Sequence, residues 1–221
     1  MMQIRNSIAA IAGEVAAWRR ELHANPGLTH EEEFAHNFVK ARLDELGIPY
    51  KAGLGGYGIV ATIHGDKGDG GVIGLRADMD ALPITEESGQ PWASIKPGVM
   101  HACGHDGHTA CLLGAAKHLS ENPNFAGTVH LIFQPAEEGG HGAEKMIADG
   151  LFDDFSCDAV FGMHNWPWVP LGQAGITAGP IMASVDEFDI TITGKGGHAA
   201  LPQACIDPII VAAQIINTAQ T

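Results

Sequence analysis

The chain has 221 residues, of which 45% are hydrophobic and 17% charged, so it can form one globular domain and part of a second. Its formal net charge of −14 argues against nucleic acids and anionic membranes as partners. The 12 histidines equal the lysines and arginines in number, and this excess directs attention to metal or acid–base chemistry. Neither a secretory pattern nor a disulfide framework is present in the sequence, so we expect a cytoplasmic protein.

Two helices are predicted at the start of the chain. Apolar residues recur at four- and three-residue steps through Ile4–Leu22, which is typical of an amphipathic helix, and Asn25–Gly27 ends it. A second helix is predicted to begin near Thr29, with Glu31–Glu33 in its first turn, and to end at Gly47.

Strands and helices then alternate along the chain. The strands are short apolar runs bounded by polar or glycine-rich turns, and the helices are rich in alanine and leucine. This alternation predicts an α/β domain with a largely parallel sheet. The predicted strands are Gly58–Ile63, Val72–Ala77, Thr128–Phe133 and Ala159–Met163, and the predicted helices are Thr109–Leu119 and Ala143–Ala148.

The pattern changes near residue 183, where we predict a domain boundary between residues 1–182 and 183–221. Phe188–Thr193 alternates apolar and polar residues as a half-exposed strand does. Asp207 is predicted to cap a helix that begins at Pro208. One strand and one helix cannot bury their own apolar faces, so we expect residues 183–221 to be only the start of a second domain.

Potential metal ligands follow the strands. The segment His101–His108 holds three His, one Cys and one Asp, and imidazole and thiolate bind zinc and similar metals. Glu137 and Glu138 follow a buried strand, so that one can bind a metal ion while the other activates water. His164 ends another strand. Taken singly, these segments are also compatible with a His-rich loop, an acidic turn and a polar surface residue.

Two further segments carry polar groups that could support such a site. Asp78 and Asp80 follow a strand, and because they are two residues apart their carboxylates would lie on the same side of the extended chain. One of them could orient a ligand histidine. A simple turn is the alternative. The glycine-rich segment around His198 could approach a substrate closely or form a hairpin turn. The sequence lacks the GxSxG and HExxH motifs of other hydrolases.

Six segments in order resemble the M20 metallopeptidase family, specifically its amidohydrolase branch of hippurate hydrolases, N-acyl-amino-acid amidohydrolases and auxin-conjugate hydrolases. The resemblance implies an α/β, three-layer, zinc-exopeptidase-like catalytic domain followed by a partial α+β, ferredoxin-like satellite domain. The segments are RRELHANPGLTHEEE (Arg19–Glu33), GLRADMDALPI (Gly74–Ile84), MHACGHDGHTA (Met100–Ala110), LIFQPAEEGG (Leu131–Gly140), FGMHNWP (Phe161–Pro167) and GKGGHAALP (Gly194–Pro202).

The resemblance also implies a role for each matching residue. Glu137 is similar to the general base, Asp80 to a carboxylate that supports the metal site, and His198 to a satellite-domain histidine that reaches a partner subunit's active site. Two divalent metal ions (Zn, Mn, Co or Ni) are implied. Their ligands in this chain would be Cys103, His105, Glu138 and His164.

The function implied is hydrolysis of the amide bond of a small-molecule N-acyl amino acid by a homodimer or homo-oligomer, with no nucleic acid and no membrane involved. The family pattern continues beyond the part matched by this chain, to a final histidine ligand. We therefore expect weak metal retention and low activity from residues 1–221 alone. A catalytically inactive fragment, or a non-catalytic metal-binding or dimerisation module of the same fold, is the alternative hypothesis.

Overall fold

A computed structural model describes residues 5–220, and the chain divides into two compact units, Met1–Gln173 and Ala174–Thr221. The first unit holds one sheet with helices on both faces. Its elements are α1 (Asn6–Ala24), α2 (Glu33–Glu45), β1 (Tyr50–Leu54), β2 (Gly58–His64), β3 (Val72–Asp78), α3 (His105–Glu121), β4 (Thr128–Gln134), α4 (Gly142–Ala148), α5 (Leu151–Asp154) and β5 (Ala159–Gly162).

The sheet has five strands in the order β1-β2-β4-β3-β5. β3 runs parallel to β4 and β5, whereas β2 runs antiparallel to both β1 and β4. The predicted parallel arrangement is confirmed for β3, β4 and β5, but the sheet as a whole is mixed, because the β1–β2 hairpin joins β4 in an antiparallel sense at one side. The sequence did not predict β1, whose side chains are mostly exposed at the sheet edge, so that it forms no apolar run.

Side chains along the inner strands point alternately to the two faces of the sheet, and the buried residues therefore belong to two separate hydrophobic cores, one on each face. Ile59 and Phe133 face α1, α2 and α3, whereas Val60 and Ile132 face α4 and α5. Because successive side chains of a strand point to opposite faces, strands buried on both sides need apolar residues at nearly every position. This requirement explains the short apolar runs of the sequence and confirms the three-layer α/β architecture.

The second helix begins at Glu33, four residues after the predicted start. The preceding segment cannot be helical, because His30 has a left-handed φ of 65° and Leu28 forms a β-bridge with Ala81. Of the three consecutive glutamates, only Glu33 lies in the first turn of α2. The segment before α2 contacts the ends of the strands instead.

The second unit, Ala174–Thr221, contains a short 3₁₀ helix (Pro202–Ala204) and α6 (Pro208–Ala219). The predicted cap of α6 is confirmed, since Asp207 Oδ1 accepts a hydrogen bond from Ile209 N at 2.9 Å. The predicted strand Phe188–Thr193 is wrong, because the described part of this unit supplies no strand with which it could pair. Among residues 5–220, no helix has the length and apolar character required to cross a membrane.

Candidate metal centre

Three parallel strands bring their carboxyl ends to one edge of the sheet, where sites form in α/β folds. Asp78 is the last residue of β3, the Glu137–Glu138 pair follows β4, and His164 follows β5. These residues are far apart in sequence, and the sheet register alone places them side by side.

Helix α3 begins at the same edge with His105 as its first residue, four residues earlier than predicted. Gly104 precedes it in a left-handed conformation with a φ of 90°. A Cβ at this position would lie 2.5 Å from Asn165 Oδ1, so both the backbone conformation and the available space require glycine. The resulting turn brings Cys103 beside the residues that follow β5.

The predicted ligands converge on His105. Cys103 Sγ lies 3.4 Å from His164 Nε2, and the possible ligand atoms of Cys103, His105 and His164 lie within 4.8 Å of one another. On the other side, His105 Nε2 lies 3.8 Å from Glu137 Oε2 and 3.9 Å from Glu138 Oε1. The two groups share His105, so the structure brings all four predicted ligands and Glu137 to one place.

The orientation of the buried His105 ring fits the predicted role of a metal ligand. Its Nδ1 lies 2.9 Å from the Asp80 carbonyl oxygen and 3.2 Å from Asp80 Oδ1, so Nδ1–H is the donor and, in the neutral ring, Nε2 carries the lone pair. Within residues 5–220, Nε2 is buried and has no hydrogen-bond partner. A buried nitrogen without a partner, surrounded by a thiol and carboxylates, fits a divalent metal ion.

The electrostatics of the site also favour a cation. Burial and the negative charges of Glu138 and Glu137 raise the pKa of the Cys103 thiol to about 12. Burial and the charge of Glu137 likewise raise the pKa of Glu138. Burial lowers the pKa of His105, but the Asp80 hydrogen bond and neighbouring carboxylates outweigh it, so the net shift is upward. Burial is the largest cause of the shifts of Cys103 and Glu138, and nearby negative charge adds to all three upward shifts. A metal ion would balance that negative charge.

His108 and Asp78 form a third cluster with His105, in which all three residues are buried. Asp78 already has two partners, His108 Nδ1 at 2.6 Å and Arg76 Nη1 at 2.7 Å. Burial opposes ionisation of Asp78, yet these partners hold its pKa well below the usual range. Asp78 therefore supports the site, whereas the predicted ligands remain without such strong partners.

His108 and Asn165 are supporting residues; the sequence placed His108 among the potential ligands of residues 101–108 but gave neither residue a supporting role. Asn165 N donates to His108 Nε2 at 2.9 Å, and its carbonyl oxygen accepts from His164 Nδ1 at 2.7 Å, which turns His164 Nε2 towards Cys103. The spacing of His108 was an available signal, because it lies three residues after His105 and so on the same face of α3.

Asp80 supports two predicted ligands at once. Besides its contact with His105, its Oδ2 accepts from Glu138 N and from Thr29 Oγ1, each at 2.9 Å. The carboxylate therefore fixes the His105 ring and the backbone of Glu138 together. Asp80 thus lies beside the predicted ligand His105, and its role as a supporting carboxylate stays a prediction.

Replacement of Asp80 by asparagine should weaken divalent-metal affinity by about 10–100-fold. Asparagine has one acceptor oxygen, so its NH₂ group would face a donor at either His105 Nδ1 or Glu138 N. Metal titration against a chromophoric chelator measures the effect. Asp69→Asn, an exposed change in the connection before β3, should leave the affinity unchanged. Equal affinities for the Asp80 variant and the parent would contradict the supporting role of Asp80.

His198 lies in the second unit with an exposed side chain. Its Nδ1 accepts a hydrogen bond from Ala200 N at 3.1 Å, within a turn that His198 O closes with Leu201 N. Its role at an active site stays a prediction.

Comparison with known proteins places this site in context. The N-acetyl-L-cysteine deacetylase of Bacillus subtilis is 48% identical over 216 residues, which are 97% of this chain and 51% of that protein. The hippurate hydrolase of Campylobacter jejuni is 43% identical over 220 residues, covering 100% of this chain and 57% of that protein. The chain thus spans about half the length of the curated relatives that it matches.

A solved structure agrees with the fold. The YXEP protein of Bacillus subtilis, described as a dinuclear metal-binding peptidase of the M20 family, matches with a TM-score of 0.75 and 42% identity. The match covers 80% of this chain and 49% of that one. The model of peptidase family M20/M25/M40 matches residues 74–219, which include every predicted site residue. The chain therefore belongs to peptidase family M20/M25/M40.

Proposed function

We propose that this chain supplies the metal-binding and proton-transferring residues of a hydrolase that cleaves the amide bond of N-acyl amino acids. The products are a carboxylic acid and an amino acid. The relatives named as a deacetylase of N-acetylcysteine and a hippurate hydrolase support this substrate class. The observation that carries the proposal is the pair of adjacent carboxylates, Glu137 and Glu138. Both lie within 4 Å of His105 Nε2, a buried nitrogen without a hydrogen-bond partner in the described part of the chain.

The residues proposed to hold two divalent metal ions are Cys103, His105, Glu138 and His164. When bound, such ions polarise a carbonyl group and lower the pKa of water. This donor set accepts Zn, Mn, Co or Ni. His105 and His164 each have one ring nitrogen engaged by a carbonyl or carboxylate oxygen, so each presents the other nitrogen as a lone pair.

Glu137 is proposed as the general base and acid. Its side chain is 42% exposed, against 25% for Glu138, so water and substrate reach Glu137 more easily. The Glu137 carboxylate takes a proton from water, and the hydroxide formed adds to the amide carbon. The protonated carboxyl then donates that proton to the amide nitrogen as the carbon–nitrogen bond breaks. The base is thereby regenerated.

We further propose that the protein is a cytoplasmic homodimer. In this dimer, His198 of one subunit stabilises the negatively charged oxygen of the tetrahedral intermediate in the active site of the other subunit. Because His198 Nδ1 accepts from Ala200 N, its Nε2 carries the hydrogen and can donate to an oxyanion. The exposure of the side chain is compatible with a contact to a second copy.

The test measures bound metal and released amino acid on one purified sample, with hippurate and N-acetylcysteine as substrates. The parent should bind divalent metal weakly and release amino acid at a low rate, whereas His105→Ala should lose both because His105 belongs to each of the three ligand groups found among the described residues. His118→Ala, near the other end of α3, is the matched control. Metal binding without any hydrolysis would instead favour the non-catalytic metal-binding module.

A further inference from the structure

Glu32 is a buried carboxylate whose side chain, among residues 5–220, neither caps a helix nor forms an ion pair. Its side chain is 0% exposed, and it lies at the start of α2 without capping that helix. Its Oε1 accepts from His30 N at 3.0 Å and from Ala136 N at 2.8 Å, the latter 104 residues away in sequence. Within the described part of the chain, its Oε2 has no hydrogen-bond partner. Burial of a carboxylate with one oxygen left without a hydrogen bond costs folding free energy, so what its other oxygen stabilises is of interest.

The partner of this carboxylate is itself strained. Ala136 has a φ of 53°, a left-handed conformation that a residue with a Cβ seldom adopts. It is fully buried and directly precedes Glu137. Its carbonyl oxygen accepts from Gly142 N at 3.0 Å, so the residue is held at both its N–H and its C=O. Such strain persists only where surrounding groups fix it.

The two adjacent glutamates are anchored differently. The backbone of Glu138 has its own bonds, since its N–H donates to Asp80 Oδ2 and its carbonyl accepts from Thr29 Oγ1. Among residues 5–220, the carbonyl oxygen of Glu137 accepts only from Gly139 N at 2.8 Å, within the same turn, whereas the Glu138 carbonyl is held by Thr29 from outside it. Glu137 follows Ala136, whose N–H is held by Glu32. A change of φ at residue 136 would redirect Glu137, while Glu138 would keep its two bonds.

We propose that Glu32 is a positioning residue that holds Ala136 in its left-handed conformation and thereby aims the Glu137 carboxylate. Glu32 touches no reacting atom and acts through the peptide of Ala136. The catalytic consequence rests on the proposed function of Glu137. The conformational consequence, an ordered turn at residues 135–138, does not depend on that function.

The variants separate the hydrogen bond from simple burial. Glu32→Leu removes the acceptor at nearly constant volume, and Glu32→Asp retracts it by one methylene if the leucine variant does not fold. Glu32→Gln keeps the oxygen that accepts both N–H groups. Glu33→Leu is the matched control, because Glu33 is the exposed neighbour of Glu32.

Hydrogen–deuterium exchange of residues 134–140 in the metal-free protein is the first measurement. We expect exchange about tenfold faster in Glu32→Leu or Glu32→Asp, since the left-handed conformation loses its support. Glu32→Gln and Glu33→Leu should exchange as the parent does, and the β4 segment 128–133 should stay protected in all variants. Unchanged exchange in Glu32→Leu and Glu32→Asp would overturn the proposal.

The second measurement is hydrolysis of N-acyl amino acids at full metal loading. In Glu32→Leu, kcat should fall about tenfold or more, with KM and bound metal unchanged, and Glu32→Gln should recover most of it. Adding Ala136→Gly should restore part of kcat, because glycine tolerates the left-handed conformation. A purely structural role of Glu32 predicts no such rescue, and its absence would contradict the proposal. If the parent hydrolyses nothing while the exchange results hold, the proposed function fails and the positioning of residues 135–138 stands.

Discussion

Replacement of Glu137 by glutamine should lower the rate of amide hydrolysis by about 10²–10⁴-fold, the usual contribution of general acid–base catalysis. Glutamine fills the same volume but cannot accept and return the proton. Bound metal should be unchanged, because Glu138, the neighbouring carboxylate, remains 3.9 Å from His105 Nε2. The proposed roles of the two glutamates thus predict opposite results for the same substitution at each position.

The measurement is kcat together with metal content for Glu137→Gln and Glu138→Gln. We expect Glu138→Gln to lose metal and Glu137→Gln to keep it. Glu144→Gln is the control, since its side chain is 82% exposed on α4. Loss of metal from the Glu137 variant would assign Glu137 as a ligand and leave the proton transfer without a base.

Replacement of Gly142 by alanine should reduce the free energy of unfolding by about 3 kcal/mol, at the upper end of the cost of overpacking. A Cβ at this position would lie 1.7 Å from the carbonyl oxygen of Pro135 and 3.2 Å from Ala136 Cβ. The first contact is with backbone and cannot be relieved by a side-chain rotation. Because Gly142 N also bonds Ala136 O, relief of the clash would disturb the turn that carries the glutamates.

Urea unfolding of the variant measures this loss, and Gly13→Ala provides an informative contrast. Gly13 lies in the middle of α1, is exposed, and has no heavy atom within 4 Å of where a Cβ would be. Alanine there should raise the free energy of unfolding by about 0.5–1 kcal/mol, because it favours the helix over the unfolded chain. A Gly142→Ala variant as stable as the parent would show that the start of α4 can move away from Pro135.

The sequence predicted elements whose causes are local. Apolar runs located β2 to β5 within one residue at each end. Burial on both faces explains the runs of β2 and β4, whereas β5 is an apolar run whose side chains are exposed. Asp207 predicted the start of α6 because its side chain caps the helix directly. The order of the strands was not predictable in this way, since antiparallel pairing of β2 with β4 depends on the whole sheet rather than on either segment.

The residues of the site likewise fall into two groups: those whose positions follow from the local sequence and those whose positions depend on distant contacts. The strand-end positions of Glu137, Glu138 and His164 followed from sequence, and the resemblance supplied their roles. The start of α2 did not follow, because a run of glutamates favours a helix N-terminus and gives no sign of a distant partner. Glu32 is bound to Ala136 across 104 residues, and such a pairing is visible only in three dimensions.

The contact between His105 Nδ1 and Asp80 has a consequence for the order of folding and metal loading. An isolated peptide of residues 101–108 would contain Cys103 and His105, but nothing in it would fix which ring nitrogen of His105 carries the hydrogen. That choice requires the closed loop of 25 residues between Asp80 and His105. We therefore expect this centre to take up metal after its sheet has formed, unlike a zinc finger, in which the metal organises an otherwise unfolded chain.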